Sequence, residues 1–332
     1  MACAPLGAGP EGRFMTTYAM PPGAPPADLI VTTAQGLGYW PSASLVLVLV
    51  TDKGEHCVSA RCDLADIAKS PAGWREYLGR VIATSGAAAG DVLVFDPVAD
   101  PHWQASVVAV EAMQDAGVPV RDVVVARRGE EDFEWMSLTT SADSLRPDIW
   151  QREPWPHDTD RPSAWTLTRA DLERELTPSV PGQLAGTESA LDETHRDLAV
   201  ADILARLCDG NESGDEAALL TSLTDLRVRD TLIWEIFRRQ SSQWMQAAER
   251  LLPTVRRAAR GHVAPAATLL ALLRWQLGDG TRATIALDRA LVDDPDDTLS
   301  QLIDGCLRSG ITPASWREGL LTLTRDQCRR PA

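Results

Sequence analysis

The chain reads as an α/β domain, a mixed sheet covered by helices, followed by an all-α domain of helical hairpins. Three observations predict this. Between residues 27 and 138, short apolar runs of strand length alternate with stretches of helical period. From 166 to 325 the helical period continues with no strand-like run. Between them, 139–165 breaks both patterns with Pro147, Pro154, Pro156 and Pro162 and with Trp150, Trp155 and Trp165.

In the first domain, Leu29, Ile30, Thr33 and Leu37 recur at helical spacing after a Pro-rich start. The turn Gly38-Tyr39-Trp40-Pro41-Ser42 follows. Ser44 to Thr51 is a continuous apolar run, as expected of a strand covered on both faces. Asp52-Lys53-Gly54 is a hairpin signal, so His56 to Asp63 should pair antiparallel with that strand. Pro71 opens a helix to about Thr84, with Trp74, Leu78, Val81 and Ile82 on one side. Asp91 to Asp96 is a short buried strand. Pro101 to Ala116 is amphipathic, with Val107, Val110, Ala112 and Met113 expected inward, and Gly117 ends it. Val120 to Ala126 and Asp132 to Leu138 read as an antiparallel pair. The predicted order is α-β-β-α-β-α-β-β.

Solvated linkers rarely carry three tryptophans, so the junction rings are expected to pin it onto the core. The alternative is a pocket between the domains. In the helical domain, Thr168-Arg-Ala-Asp171 is a capped start. Further helices are expected at 188–208, 215–226, 230–239, 242–260, 264–277, 281–292, 298–308 and 313–323, with Gly261, Gly278, Gly280 and Gly310 at the breaks. The helix after Gly278-Asp279-Gly280 carries Ala283, Ala286, Leu287, Ala290 and Leu291 and stops at Asp294-Pro295. It resembles the second helix of a tetratricopeptide repeat.

Composition narrows the function classes. A net charge of −15 over 332 residues disfavours general nucleic-acid binding and an anionic membrane surface. No apolar run reaches the ~20 residues of a membrane span. Met1 to Pro26 lacks the charged and apolar regions of a signal peptide and reads as a loose tail, with Met15 an alternative start. Of 32 basic residues only Lys53 and Lys69 are lysines, which reads as codon bias; selection for anion-binding arginines is the alternative, and the spread of Arg along the chain argues against it. The six cysteines (Cys3, Cys57, Cys62, Cys208, Cys306, Cys328) are scattered, without metal-ligand spacing, and are expected to be free thiols in the cytoplasm.

No nucleophile elbow, P-loop, dinucleotide turn or zinc-protease helix is present. Three constellations remain. Ser42 and Ser44, entering the first strand, can present hydroxyls and amides to an anion, or simply close a tight turn. Asp63 and Asp96 stand at strand carboxyl ends, where they can hold a cation, act as an acid/base pair, or cap the next element. Arg227, Arg229 and Asp230 can combine an ion pair with a helix N-cap, or carry an arginine pair to the domain interface. The run Asp293-Asp294-Asp296-Asp297 lacks calcium-loop spacing and reads as a solvated interhelical loop.

Several segments together resemble a bacterial, mainly actinobacterial, family labelled domain of unknown function 4192. They are Ala27-Asp28-Leu29, Gly38-Tyr39-Trp40-Pro41, Ser44-Leu45-Val46, Arg61-Cys62-Asp63-Leu64, Arg227-Val228-Arg229-Asp230, Leu273-Arg274-Trp275 with Gly278-Asp279-Gly280, and Ala290-Leu291, Asp294-Pro295, Gly310, Pro313 and Trp316. The segment before Pro41 is one residue longer than the family's usual Leu-Gly-Phe. Trp135 stands without the Cys that often follows it in the family, which argues against a thiol-based role. The resemblance supports the architecture and implies no activity or cofactor.

The expected function is therefore a non-catalytic binding or adaptor protein, meeting a protein partner through its helical domain. The alternative is an enzyme or small-ligand sensor with a site at the strand carboxyl ends, using Ser44, Asp63 and Asp96.

Overall fold

A computed structural model of the protein describes residues 24–97, 101–141, 144–156, 164, 166–177, 184–186, 191–210 and 215–329. Met15, Cys3, Pro162 and Trp165 lie outside the described residues. An N-terminal mixed sheet with helices is followed by an all-helical region.

Helix α1 (Pro26–Leu37) starts on proline and ends at Gly38, whose φ of 77° lets its N–H reach the Ala34 and Gln35 carbonyls. Strand β1 (Ser44–Val50) is buried along its whole length. It pairs antiparallel with β2 (His56–Asp63) on one side and β3 (Ala89–Phe95) on the other. β3 is parallel to β4 (Val120–Arg128), and β4 antiparallel to β5 (Asp132–Ser141). Both faces of the sheet are covered, which accounts for the unbroken apolar run. Leu45, Leu47 and Leu49 face α2 (Leu64–Lys69), α3 (Pro71–Ser85) and α4 (Pro101–Asp115). Val46, Val48 and Val50 share the other core with Leu29, Ile30 and Trp40.

Three features differ from the sequence reading. The six-residue helix α2 is too short to show a period. Val107 of α4 is 40% exposed, because the small residues Ala105, Ala109 and Ala112 with Val108 and Met113 form the packed face. The stretch after 138 is not free of strands. β5 runs on to Ser141, and β6 (Ser144–Pro147) and β7 (Gln151–Pro154) both pair with it. The described junction rings are pinned, as expected. Trp155 packs 5.3 Å from Trp40 and 5.0 Å from Phe133, and Arg127 lies over Trp150 at 4.3 Å.

The helical region comprises α5 (Arg169–Leu176), α6 (Glu193–Leu207), α7 (Glu216–Thr224), α8 (Leu226–Phe237), α9 (Ser241–Arg257), α10 (Ala264–Gln276), α11 (Gly280–Asp293), α12 (Thr298–Arg308), α13 (Pro313–Leu321) and α14 (Arg325–Arg329). Thr168 and Asp171 form the expected capping box of α5. Fully buried Ala283, Ala286 and Ala290 of α11 share a core with Ala267 and Ala271 of α10, small residues that let the two backbones approach closely. The aspartate run is not merely a solvated loop. Asp293 accepts from the amides of Gly261 (2.6 Å), Val263 (2.7 Å) and Ala264 (3.0 Å) at the start of α10, and Asp297 caps α12.

The two halves meet at the turn after α1. Tyr39 packs into the helical core, whereas its neighbour Trp40 packs into the core under the sheet. The Trp40 amide donates to the Leu167 carbonyl at 3.1 Å.

Candidate functional site

The strand-end turn is built first by backbone geometry. Because β1 runs antiparallel to β3, its first residue Ser44 stands opposite Phe95, next to Asp96 at the carboxyl end of β3. Ser44 is also opposite Asp63 at the carboxyl end of β2. Ala43 (φ 49°) and Asp96 (φ 43°) both occupy the left-handed region, uncommon for residues other than glycine.

The Asp96 carboxylate holds this turn together. One oxygen accepts from Trp40 Nε1 (2.6 Å) and Ser42 Oγ (2.8 Å), and the other from the Arg128 amide (2.7 Å). Ser44 Oγ donates to the Ser42 carbonyl at 2.9 Å. The structure thus brings Ser42, Ser44 and Asp96 into one network across more than fifty residues of chain. Asp63 stays outside it. Its side chain is half exposed and accepts from Arg61 at 2.6 Å. Asp63 stands at the N-cap position of α2 without a side-chain cap bond. The network closes a turn, and both Asp96 oxygens already hold strong donors, which opposes a free acid or base there.

Arg227, Arg229 and Asp230 are distributed differently from the sequence reading. The N-cap of α8 is Asp225, not Asp230, because its carboxylate accepts from the amides of Arg227 (3.0 Å) and Val228 (3.3 Å) and starts the helix a turn earlier. Arg227 is exposed. Arg229 is 6% exposed and meets Asp230 (3.2 Å) and Asp297 (3.3 Å). Burial raises the Asp230 pKa, against the pull of Arg229. Asp297 also accepts from Ser300 and Thr268, so this network braces α8, α10 and α12.

A larger feature lies between the two halves: an open cleft of about 1880 Å³. One wall is β2 together with Ser70 and the face of α3 that carries Gly73, Trp74 and Tyr77. The opposite wall includes Ser241, Met245, Glu249, Leu252 and Arg256, one stripe of α9 at helical spacing. Eight arginines line the cleft against four carboxylates, in a chain that has 47 acidic and 32 basic residues overall.

Most of these arginines are paired. Arg282 bonds Glu175 through two nitrogens at 2.7 Å and Asp279 at 3.2 Å. Burial works against its charge, but these carboxylates more than offset that and raise its pKa. Arg274 meets Glu249 at 2.9 Å. Arg317 has no carboxylate partner among the described residues; it bonds Gln276 at 3.4 Å and lies over the Trp244 ring at 5.1 Å. Arg256 also has no ion-pair partner among the described residues. Among the described residues, two buried polar atoms of the cleft lining, Thr33 Oγ1 and Arg61 Nε, have no hydrogen-bond partner, while the Tyr39 hydroxyl faces the Arg169 guanidinium. Burial raises the Tyr39 pKa, partly countered by Arg61 and Arg169.

Thiol chemistry finds little support. Cys57, Cys62, Cys208, Cys306 and Cys328 are unpaired. Burial pushes Cys62 to about 12 and Cys208 to about 11, and it raises the other three. Among the described residues no group of three or more His, Cys, Asp or Glu is placed to hold a metal ion, and no helix is long and apolar enough to cross a membrane.

The cleft arginines are dispersed along the sequence, from Arg61 to Arg317, and only folding gathers them. A signal was present: Tyr39, Arg61, Arg274, Gly278, Asp279 and Gly310, from the segments that carry the family resemblance, all line it. A family model described as Domain of unknown function (DUF4192) matches residues 26–157 and again 151–314. No curated protein and no solved structure matches the chain.

Proposed function

The chain belongs to the DUF4192 family, and from that premise we propose that it is a non-catalytic binding protein whose ligand is an acidic segment of a protein partner, received in the cleft between the two halves. The observation that carries this is the reversal of charge. The cleft lining holds eight arginines to four carboxylates, and two of the arginines, Arg256 and Arg317, have no carboxylate partner among the described residues, while the chain as a whole is anionic by 15. A net negative surface repels an acidic ligand elsewhere, and a cleft lined by one sign of charge concentrates it.

Size points the same way. Small-molecule pockets span about 300–1,000 Å³, and this cleft is larger and open. It suits a length of chain better than a metabolite. The helical region supplies the α9 wall with Arg256 and the α13 residue Arg317, in keeping with partner contact through that region. The unpaired, protonated thiols fit a reducing cytoplasm. The alternative, an enzyme or sensor at the strand ends, has weaker support because Asp96 is already fully engaged and Asp63 stands apart from it.

The test is thermal denaturation of the full chain with poly-L-glutamate at low salt. The probe should raise the midpoint, and added salt should remove the effect. The double variant R256E/R317E should abolish it. No shift, or an equal shift in the double variant, would sink the reading.

A further inference from the structure

β2 is the edge strand of the sheet, and its residues His56 to Arg61 line the cleft without a break. A side chain on every second residue would line a wall by one face only; an unbroken run means that the strand presents its edge.

Which backbone groups are free follows from register. The Leu64 amide donates to the Ala43 carbonyl at 3.0 Å. In an antiparallel pair, hydrogen-bonded positions alternate with non-bonded ones. The bonded positions in phase with Ala43/Leu64 are Leu45/Cys62, Leu47/Ala60 and Leu49/Val58. Ser59 and Arg61, which fall between them, therefore turn their N–H and C=O away from β1, toward the cleft. Among the described residues no other strand pairs with this edge, and none bonds those four groups from the far side. Exposed strand edges are normally blunted or covered, since they template pairing with other chains. This one is only half-blunted. It carries a register shift near Val50 and the cation Arg61.

We propose that the partner segment binds as an added strand along the outer edge of β2, hydrogen-bonded to Ser59 and Arg61, with its acidic side chains against the cleft arginines. This mode rests on the cleft reading above and specifies how the segment lies. Backbone bonds supply affinity in such strand addition, and flanking side chains supply selectivity. Acidic residues are selected because Arg256 and Arg317 offer cations that have no carboxylate partner among the described residues, while Arg61 on the edge, paired with Asp63, adds a guanidinium alongside. A second copy of this chain is a poorer occupant, because pairing β2 with itself brings Arg61 near its own counterpart.

The experiment uses the full chain and a fluorescein-labelled decapeptide of alternating Val and Glu, followed by anisotropy. Two comparison peptides carry Lys in place of Glu, or N-methyl groups on alternate backbone amides. Strand addition predicts binding of the Val-Glu peptide and at least tenfold weaker binding of both others. It also predicts slowed hydrogen exchange at the Ser59 and Arg61 amides in the complex, and loss of binding in R256E/R317E. If the N-methylated peptide binds equally well, those amides stay open and R256E/R317E still loses binding, the cleft reading stands and strand addition is overturned. If no peptide binds, or binding survives R256E/R317E, the cleft reading itself falls. Protection of the two amides in the free chain that rises with chain concentration, alongside a dimer by light scattering, would replace the peptide with a second copy.

Discussion

Gly38 lies against Arg282: a Cβ at position 38 would stand 3.2 Å from Arg282 Nη1. One residue closes α1 in the first half, and the other belongs to α11 in the second. Their approach joins the halves directly beside the cleft. Gly310 makes a matching contact at the other side, where a Cβ would come within 2.9 Å of Val81 on α3.

This relationship separates two costs of substitution. Gly38 (φ 77°) and Gly261 (φ 85°) share the left-handed conformation, but nothing lies within 4 Å of a Cβ at Gly261. Gly261→Ala should lose about 1–2 kcal/mol from backbone strain alone. Gly38→Ala should lose that and a further ~1 kcal/mol, because its methyl crowds the guanidinium that bonds Glu175 and Asp279. Urea denaturation of both variants measures the difference. Equal losses would mean that the Arg282 contact yields freely and does not fix the halves.

The Asp96 network makes a second prediction. Asp96→Asn keeps the size but removes the charge, and one of its three bonded donors must meet an amide NH2 instead. Bonds to a charged acceptor contribute roughly 1.5–3 kcal/mol each, so a loss on the order of 2 kcal/mol is expected. Ser42→Ala should lose about 1 kcal/mol, and the double variant should lose less than the sum, since both act on one oxygen. Additive losses would refute a shared network.

The same cluster marks what was legible in the chain. Strands such as β1 announce themselves because two covered faces demand an unbroken apolar run. β2 was equally plain, since a hairpin signal fixes its start. β6 and β7 were hidden: each is four residues long and ends on a proline, a residue that sheets tolerate only at edges and strand ends. Ser42 and Asp96 were each visible as polar residues at strand ends, but their bond spans 54 positions and depends on how β1 and β3 are ordered. The cleft arginines were least legible. Arg256 and Arg229 look alike in sequence, yet one lines the cleft and the other is buried in a brace.

His56 carries the pH prediction. Burial lowers its pKa from 6.5 to about 4, so the folded protein holds it neutral. The unfolded chain takes up a proton as pH falls through 6.5, and the folded chain does not until about pH 4. Stability is therefore full above pH 6.5, declines between 6.5 and 4, and levels off below. The shift corresponds to at most on the order of 3 kcal/mol. His56→Gln can keep the 2.8 Å bond to Ser59 Oγ while removing the titration. It should flatten the loss of stability between pH 6.5 and 5, a window above most carboxylate titrations. An unchanged slope would rule out a partly buried imidazole held neutral in the fold.

The Arg229 brace gives the last prediction, and it turns on which partner is removed. Arg229 is nearly buried, and Asp297 is 11% exposed. Arg229→Met keeps the apolar stem but leaves Asp297 to the Ser300 amide and hydroxyl and to Thr268. Those donors hold the carboxylate, so the loss should be about 1–2 kcal/mol, below the 3–5 kcal/mol of a wholly stranded charge. Asp297→Ala removes the N-cap of α12 as well and strands Arg229 beside Asp230 alone. It should lose roughly 3–5 kcal/mol. The measurement is chemical denaturation of both variants, with circular dichroism checking that helix content survives. If Arg229→Met proves the more damaging of the two, the carboxylate depends on the guanidinium rather than on the start of α12. The brace would then be an ion pair first and a helix cap second.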